Sequence, residues 1–228
     1  MIKSKYILLL LLLLNHSFAY TQDVGGLVKK LQEKLELVNS YEADGIMKTS
    51  VSFLKVPDAA VKVYYKKPDK LKIKNENGIS LVPKGTIAIS LNGLLRGHFT
   101  ALDAGFDVMD GHQVKVVKLL PTDERADIVL STIYVDEKNL LIVKARTTTK
   151  ENGTYEVELQ YGKYKAFALP DKVICSFNSK DYKLPKGITF DYDDGSKKKE
   201  PAPGDSKGKV EISYSAYSIN KNIPDSVF

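Results

Sequence analysis

The feature that most constrains this chain is an alternation of apolar and polar residues that recurs in short runs along most of its length. Val61, Val63 and Tyr65 interleave with Lys62, Tyr64 and Lys66. Past Pro68, Leu71 and Ile73 interleave with Lys70, Lys72 and Lys74. The same period returns at Ile87, Ile89 and Leu91, at Val114 and Val116, and at Leu141 and Val143. It continues through Tyr155, Val157, Leu159 and Tyr161, and ends with Val210, Ile212 and Tyr214. A two-residue period puts every apolar side chain of a strand on one face, so this pattern builds sheet with one dry and one wet side. Asn77-Gly78, Asn92-Gly93, Asp110-Gly111 and Asn152-Gly153 fall between runs and read as tight turns. Roughly nine to eleven strands follow, with no helix between most of them, which excludes a doubly wound parallel fold. A curved antiparallel sheet, a barrel or a sandwich fits the pattern.

One segment has a different period. Leu27, Val28, Leu31, Leu35 and Val38 recur at three- and four-residue steps, with Lys29, Lys30, Gln32, Glu33 and Lys34 between them. This predicts one amphipathic helix over residues 24–38, lying on the sheet. The stretch 94–105 lacks alternation and reads as loop or short helix. Residues 180–209, with Lys197-Lys198-Lys199 and Pro201-Ala202-Pro203-Gly204, read as a polar loop.

The N-terminus has its own logic. Lys3 and Lys5 precede an uninterrupted apolar run from Ile7 to Leu14, and Ser17-Phe18-Ala19 supplies small residues at a cleavage site. This is the layout of a secretory signal peptide, cut after Ala19. The run is far shorter than the roughly 20 residues that span a bilayer. The expectation is residues 1–19 as signal and 20–228 as one exported domain.

Catalytic and metal-binding sets are sparse. The chain has one cysteine and three histidines, and His16 leaves with the signal. Cys175 cannot form an internal disulfide and reads as a small buried residue. Asp107, Asp110 and His112 match no metal-ligand spacing, and Asp110-Gly111 is explained by a turn. No phosphate loop, CxxC or nucleophile elbow occurs. Asn152-Gly153-Thr154 is a formal glycosylation sequon that a turn also explains. The expectation is a protein without enzymatic activity, metal or cofactor. Net charge is +6, but the lysines are spread along strands, so an exported chain of this kind is not expected to bind nucleic acid.

What remains is apolar surface that one short helix cannot cover. A second sheet, a folded-in loop or a ligand cavity would each satisfy it.

Several segments resemble the periplasmic outer-membrane lipoprotein carrier and sorting proteins, the LolA-like family. Leu31-Gln32-Glu33-Lys34-Leu35 followed by Ser40-Tyr41-Glu42-Ala43-Asp44 is similar to its N-terminal helix and first strand. Tyr65-Lys66-Lys67-Pro68-Asp69-Lys70-Leu71-Lys72-Ile73 is similar to its basic-Pro segment. Ile133-Tyr134-Val135-Asp136 with Leu140-Leu141-Ile142, Tyr161-Gly162-Lys163-Tyr164 with Leu169-Pro170, and Asn220 to Phe228 resemble later stretches.

The resemblance implies an α+β fold: an unclosed antiparallel half-barrel with helices over its concave face and a cavity for acyl chains of lipoproteins or other lipids. It implies a monomeric periplasmic carrier, with an inner-membrane donor and an outer-membrane acceptor protein as partners. The alternative is an envelope interaction or sensor module whose cavity is filled. The expected cavity residues are Leu31, Leu35, Val63, Tyr65, Leu71, Ile73, Ile89, Leu91, Val157 and Leu159, with the helix and the 94–106 stretch as a movable cover. The family's lid-bonding arginine is replaced here by Lys72, so the resemblance implies lid hydrogen bonding by Lys72, although a lysine cannot make a planar bidentate contact.

Overall fold

The computed structural model describes residues 23–51, 54–55, 57–75, 91–151, 153–178 and 207–228. The signal segment, Ile89, the Asn77-Gly78 turn, Asn152 of the sequon and nearly all of the 180–209 stretch lie outside them.

The alternating runs become one antiparallel sheet of 11 strands. In chain order these are β1 (Ser40–Val51), β2 (Leu54–Lys55), β3 (Ala59–Lys66), β4 (Lys70–Asn75), β5 (Phe99–Met109) and β6 (His112–Pro121). There follow β7 (Ile128–Asp136), β8 (Leu141–Thr149), β9 (Thr154–Gln160), β10 (Lys172–Asn178) and β11 (Lys207–Ile219). The spatial order is β4-β3-β1-β11-β10-β9-β8-β7-β6-β5, with β2 beside β1. β4 and β5 do not pair with each other, so the sheet is open.

Register carries the alternation across the sheet. Val63 stands opposite Ile73 and Ala43, and Tyr65 opposite Leu71 and Tyr41. Val157 faces Ala145 and Cys175, while Ile133 faces Val117 and Ala145. All of these share one face, because paired residues point the same way. The opposite face carries Lys62, Lys70, Lys72, Lys74, Lys144, Glu156 and Glu158.

Among the described residues, two helices pack on the apolar face. α1 (Val24–Leu35) begins at Asp23, whose carboxylate accepts from Gly26 N at 2.9 Å. That is an N-cap, satisfying one of the free first-turn amides. Val24, Val28 and Leu31 are buried in the main core with Ala43, Val63, Ile133 and Val157. The helix ends at Leu35, short of the expected Val38. Val38 leaves it and joins Tyr65 and Leu169 in a second cluster.

α2 (Leu91–Arg96) corrects two expectations. Asn92-Gly93 is not a hairpin turn but lies inside this helix, and Leu91 opens it instead of ending a strand. The stretch beyond it is likewise no loop. From Phe99 onward it is the edge strand β5, so only Leu94 and Leu95 of that stretch belong to the cover, and both are buried. By contrast, Asp110-Gly111 forms the expected turn, with φ of 48° and 78° at its two residues. Cys175 is buried, as expected.

β1 approaches β11 closely at a bulge beside Asp44 and Gly45. A Cβ on Gly45 would lie 2.8 Å from the Ser213 carbonyl oxygen. Gly45→Ala is therefore expected to cost about 1–3 kcal/mol through a forced backbone shift. Gly97→Ala, where a Cβ meets nothing within 4 Å, serves as control. Urea unfolding midpoints of the two variants check this; equal midpoints would refute the packing argument.

Candidate functional site

The candidate site is the apolar face beneath α1. The structure brings Leu31, Leu35, Val63, Tyr65, Leu71, Ile73, Val157 and Leu159 onto it. Val63 and Tyr65 are fully enclosed. Leu35, Leu71 and Ile73 are partly buried against the same core. Ile89 lies outside the described residues, and Leu91 is a backbone position in α2.

At the C-terminal end of α1 a small cleft remains, partly open to solvent, with a cavity volume of about 10 Å³, room for roughly one water molecule. Leu31, Leu35, Leu140, Ile142, Tyr161 and Ala168 line it. Leu140 and Ala168 adopt positive φ of 51°, which sets the turns that face the cleft. Tyr161 donates its hydroxyl to the Ile142 carbonyl oxygen at 2.8 Å. Burial pushes that hydroxyl above its ordinary range. Its only polar atom is thus engaged and its ring serves as apolar wall. Ligand pockets run from about 300 Å³ upward, so this cleft is far too small to hold an acyl chain as it stands. A longer guest needs α1 to move.

Beside the cleft, tyrosines seal the face. Tyr41 stacks on Tyr65 at 5.3 Å between ring centroids, and Tyr217 packs edge-on against Tyr41 at 5.4 Å and Tyr164 at 5.0 Å. Tyr65 is therefore held in an aromatic stack, a role that strand alternation alone does not reveal.

Polar contacts tie the cover down. Gln32 Nε2 donates to the Leu95 carbonyl at 2.6 Å, joining α1 to α2. Lys34 Nζ donates to the Asn139 carbonyl at 2.6 Å. Lys67 Nζ donates to Glu36 Oε2 at 2.6 Å and to the Glu36 carbonyl at 2.8 Å. Arg96 Nη1 donates to the Pro68 carbonyl, and Arg96 Nη2 lies 3.4 Å from Glu36 Oε1.

Lys72 is not among these groups, which corrects its expected role. Its register partner is Tyr64, so it points away from the helices. There its Nζ donates to the Phe228 carbonyl at 3.3 Å. The arginine that bonds the cover sits in the cover itself, at position 96. An isolated arginine after an irregular stretch gave no sequence signal for this.

Lys115 is the second unexpected residue. It faces the helix side, opposite Val135, and is almost wholly buried. Its Nζ meets Asp103 Oδ2 at 2.8 Å and lies 4.3 Å from the centre of the Phe106 ring. The Lys115 hydrogen bond, with help from Gly105 N, holds the Asp103 carboxyl below its usual range. Among the described residues, no three of His, Cys, Asp and Glu cluster closely enough to hold a metal ion. No described helix is long and apolar enough to cross a membrane.

Comparison with solved structures identifies the architecture. A LolA superfamily protein from Nitrosomonas europaea superposes with a TM-score of 0.57 at 12% identity, over 88% of this chain and 96% of that one. A DUF1329 family protein from Desulfovibrio piger gives 0.54 at 10% identity, over 90% and 96%. A domain assigned to outer membrane lipoprotein sorting, from Vibrio parahaemolyticus, gives 0.53 at 9% identity, over 88% and 94%. No protein-family model and no curated protein matches the sequence. This chain has a LolA-like fold.

The Lys67 hydrogen bond, the strongest of several causes, holds the Glu36 carboxyl below its ordinary 4.5. A depressed carboxyl stabilises the closed form above its unfolded pKa, and this is lost as pH falls through the folded value. Acidification below about pH 4.5 should therefore loosen the end of α1. Arg96→Ala should do so at neutral pH. Hydrogen exchange read by mass spectrometry is expected to show several-fold lower protection of α1 amides, relative to their intrinsic exchange rate at the same pH, in both cases. Unchanged α1 protection in Arg96→Ala would mean these bonds do not hold the cover.

Proposed function

We propose that this chain is a non-enzymatic carrier of the bacterial envelope, taking the acyl chains of lipoproteins or other lipids between α1 and the sheet. The observation that carries this reading is a wide apolar face on one open sheet. Among the described residues it is covered by two helices, with an apolar cleft at the end of the longer one. The likeness to a domain assigned to outer membrane lipoprotein sorting supports it. In this reading the signal is removed after Ala19, and residues 20–228 act as a monomer in the periplasm. They receive cargo from an inner-membrane donor and release it to an outer-membrane acceptor.

The mechanism is displacement. Leu31 and Leu35 lift, and the guest replaces them against Ile142, Val157, Leu159 and Val63. Each CH₂ taken from water is worth about 0.8 kcal/mol, so a C16 chain gains on the order of 10 kcal/mol before ordering costs. That offsets lifting a few aliphatic side chains, each worth about 1.5–3 kcal/mol. Release then requires a partner that offers the chain a better surface or favours the closed cover.

The small size of the cleft favours a second reading, in which the site is permanently filled and the chain is an interaction or sensor module.

Native mass spectrometry of the exported protein, with titration of a fluorescent fatty-acid probe, separates the two. The carrier reading expects co-purified acyl species and saturable probe binding. Leu35→Asp should weaken that binding at least about tenfold, by placing a charge where the chain enters. A folded protein that carries no acyl species and never binds the probe would leave only the module.

A further inference from the structure

Lys115 carries a charge onto the apolar face and takes no part in holding the cover. An ammonium has three hydrogens to donate. Lys115 is 2% exposed, and among the described residues it makes one hydrogen bond, to Asp103 Oδ2 at 2.8 Å. The Phe106 ring lies over the same nitrogen, 4.3 Å from it. A buried cation with so few bonds is costly.

The carboxylate that meets it comes from an open side. The Asp103 side chain is 43% exposed and stands at the bulge of the edge strand β5. Its other oxygen, Oδ1, accepts from Gly105 N at 2.7 Å. Gly105 has φ of 81°, and a Cβ there would meet nothing within 4 Å. Lys115 Nζ and Gly105 N thus form a two-donor cradle around one carboxylate, and the chain fills that cradle with a side chain of its own.

Register joins the cradle to the proposed cavity. On the helix side Lys115 stands between Phe106 of β5 and Val135 of β7, and Val135 stands opposite Ile142 of β8. One cross-strand row therefore runs from Phe106 through Lys115 and Val135 to Ile142 in the cleft wall. Two strand spacings, about 10 Å, separate Lys115 from Ile142. Val135 is wholly buried in the main core with Val28 and Leu31 of α1, so the row passes under the cover. At its outer end Phe106 and Val108 lie on the same face and are exposed.

We propose that the cradle of Lys115 and Gly105 binds the anionic head of a single-chain amphiphile, with Asp103 standing in for that head in the closed protein and the tail following the Val135–Ile142 row beneath α1. This rests on the carrier reading and narrows its substrate class from acyl chains in general to acyl chains joined to a carboxylate or a phosphodiester. The incoming anion displaces Asp103 into solvent, so the buried ammonium stays paired before and after the exchange. Charge-assisted hydrogen bonds of this kind are strong enough to discriminate between heads on one tail.

The test is competition against a fluorescent acyl probe by three ligands with the same C16 chain: palmitate, palmitoyl lysophosphatidylglycerol and the neutral monopalmitoylglycerol. Each is kept below its aggregation concentration. The anionic pair is expected to compete at about tenfold lower concentration than the neutral one. If only one of the pair does so, it names the head group. Asp103→Asn keeps the side chain's shape but weakens the internal competitor, so the favoured anion should compete several-fold better while monopalmitoylglycerol competes as before. Lys115→Met keeps an apolar stem without the ammonium and should erase the anionic advantage; circular dichroism confirms the fold of both variants. Equal competition by all three on the unaltered protein, no gain for the anions in Asp103→Asn, or an advantage that survives in Lys115→Met overturns the cradle and leaves the carrier reading standing. Asp103 is half-exposed, so its variant decides the matter even where Lys115→Met does not fold. Failure of the probe and all three ligands to bind overturns both.

Discussion

The structure depends on covering one apolar face. Strands β1, β3, β6, β7, β9 and β11 present Ala43, Val63, Val117, Ile133, Val157 and Ile212 to the same side. Water on that side would cost far more than any polar contact in the molecule returns, since each such residue is worth about 1.5–3 kcal/mol when buried. The chain answers with α1, whose stripe of Val24, Val28 and Leu31 is narrower than the sheet. A tyrosine stack at one end and α2 beside it extend the cover. Because the sheet does not close on itself, the covering layer is a separate part. It can shift without breaking a single strand pairing.

Apolar and polar contacts then divide the labour. The aliphatic stripe supplies most of the attraction between cover and sheet, and it is indifferent to sliding by an ångström. The bonds from Gln32, Lys34, Lys67 and Arg96 set where the cover rests. All four reach a backbone carbonyl, at Leu95, Asn139, Pro68 and, for Lys67, Glu36. Partly exposed bonds of this kind contribute about 1 kcal/mol or less each. They hold one position among several without making departure prohibitive. In the proposed carrier reading, an apolar guest would compete with the stripe and not with these bonds, so a closed state held in this way would be specific and reversible at once.

The sheet was legible because strand parity survives translation into structure. Val63, Tyr65, Leu71, Ile73, Val157 and Leu159 share a face as their spacing requires. The cover was legible in its long helix and, at Leu94 and Leu95, in the irregular stretch after Gly93, though not in its exact bounds. A six-residue helix such as α2 is under two turns, too short to show a 3.6 period, and its Asn92-Gly93 mimics the strongest hairpin signal. β5 was hidden by a bulge between Asp103 and Phe106, which breaks the alternation where it would have been read. Lys115 was hidden for a related reason. In Val114-Lys115-Val116-Val117 both parities carry valine, so nothing marks the lysine as facing the helices. Arg96 and Lys72 show the remaining limit. A motif position tells which residue is present, while register decides which side it serves, and here the register puts Lys72 on the far face.

An open sheet has two edges, and each is treated so that the molecule does not close or stack. β4 carries Lys70, Lys72 and Lys74 on its outer side, where a neighbouring strand would bring further charge close. β5 is long and exposed, but its bulge bends the ladder at Asp103 and the buried Lys115 pins that carboxylate inward. A bent edge pairs poorly with a straight partner. Had β4 and β5 been flat and apolar, the sheet could have curled into a barrel with a fixed interior. Keeping them apart preserves a face whose width is set by side chains and helices, which is the condition that the proposed carrier reading places on α1.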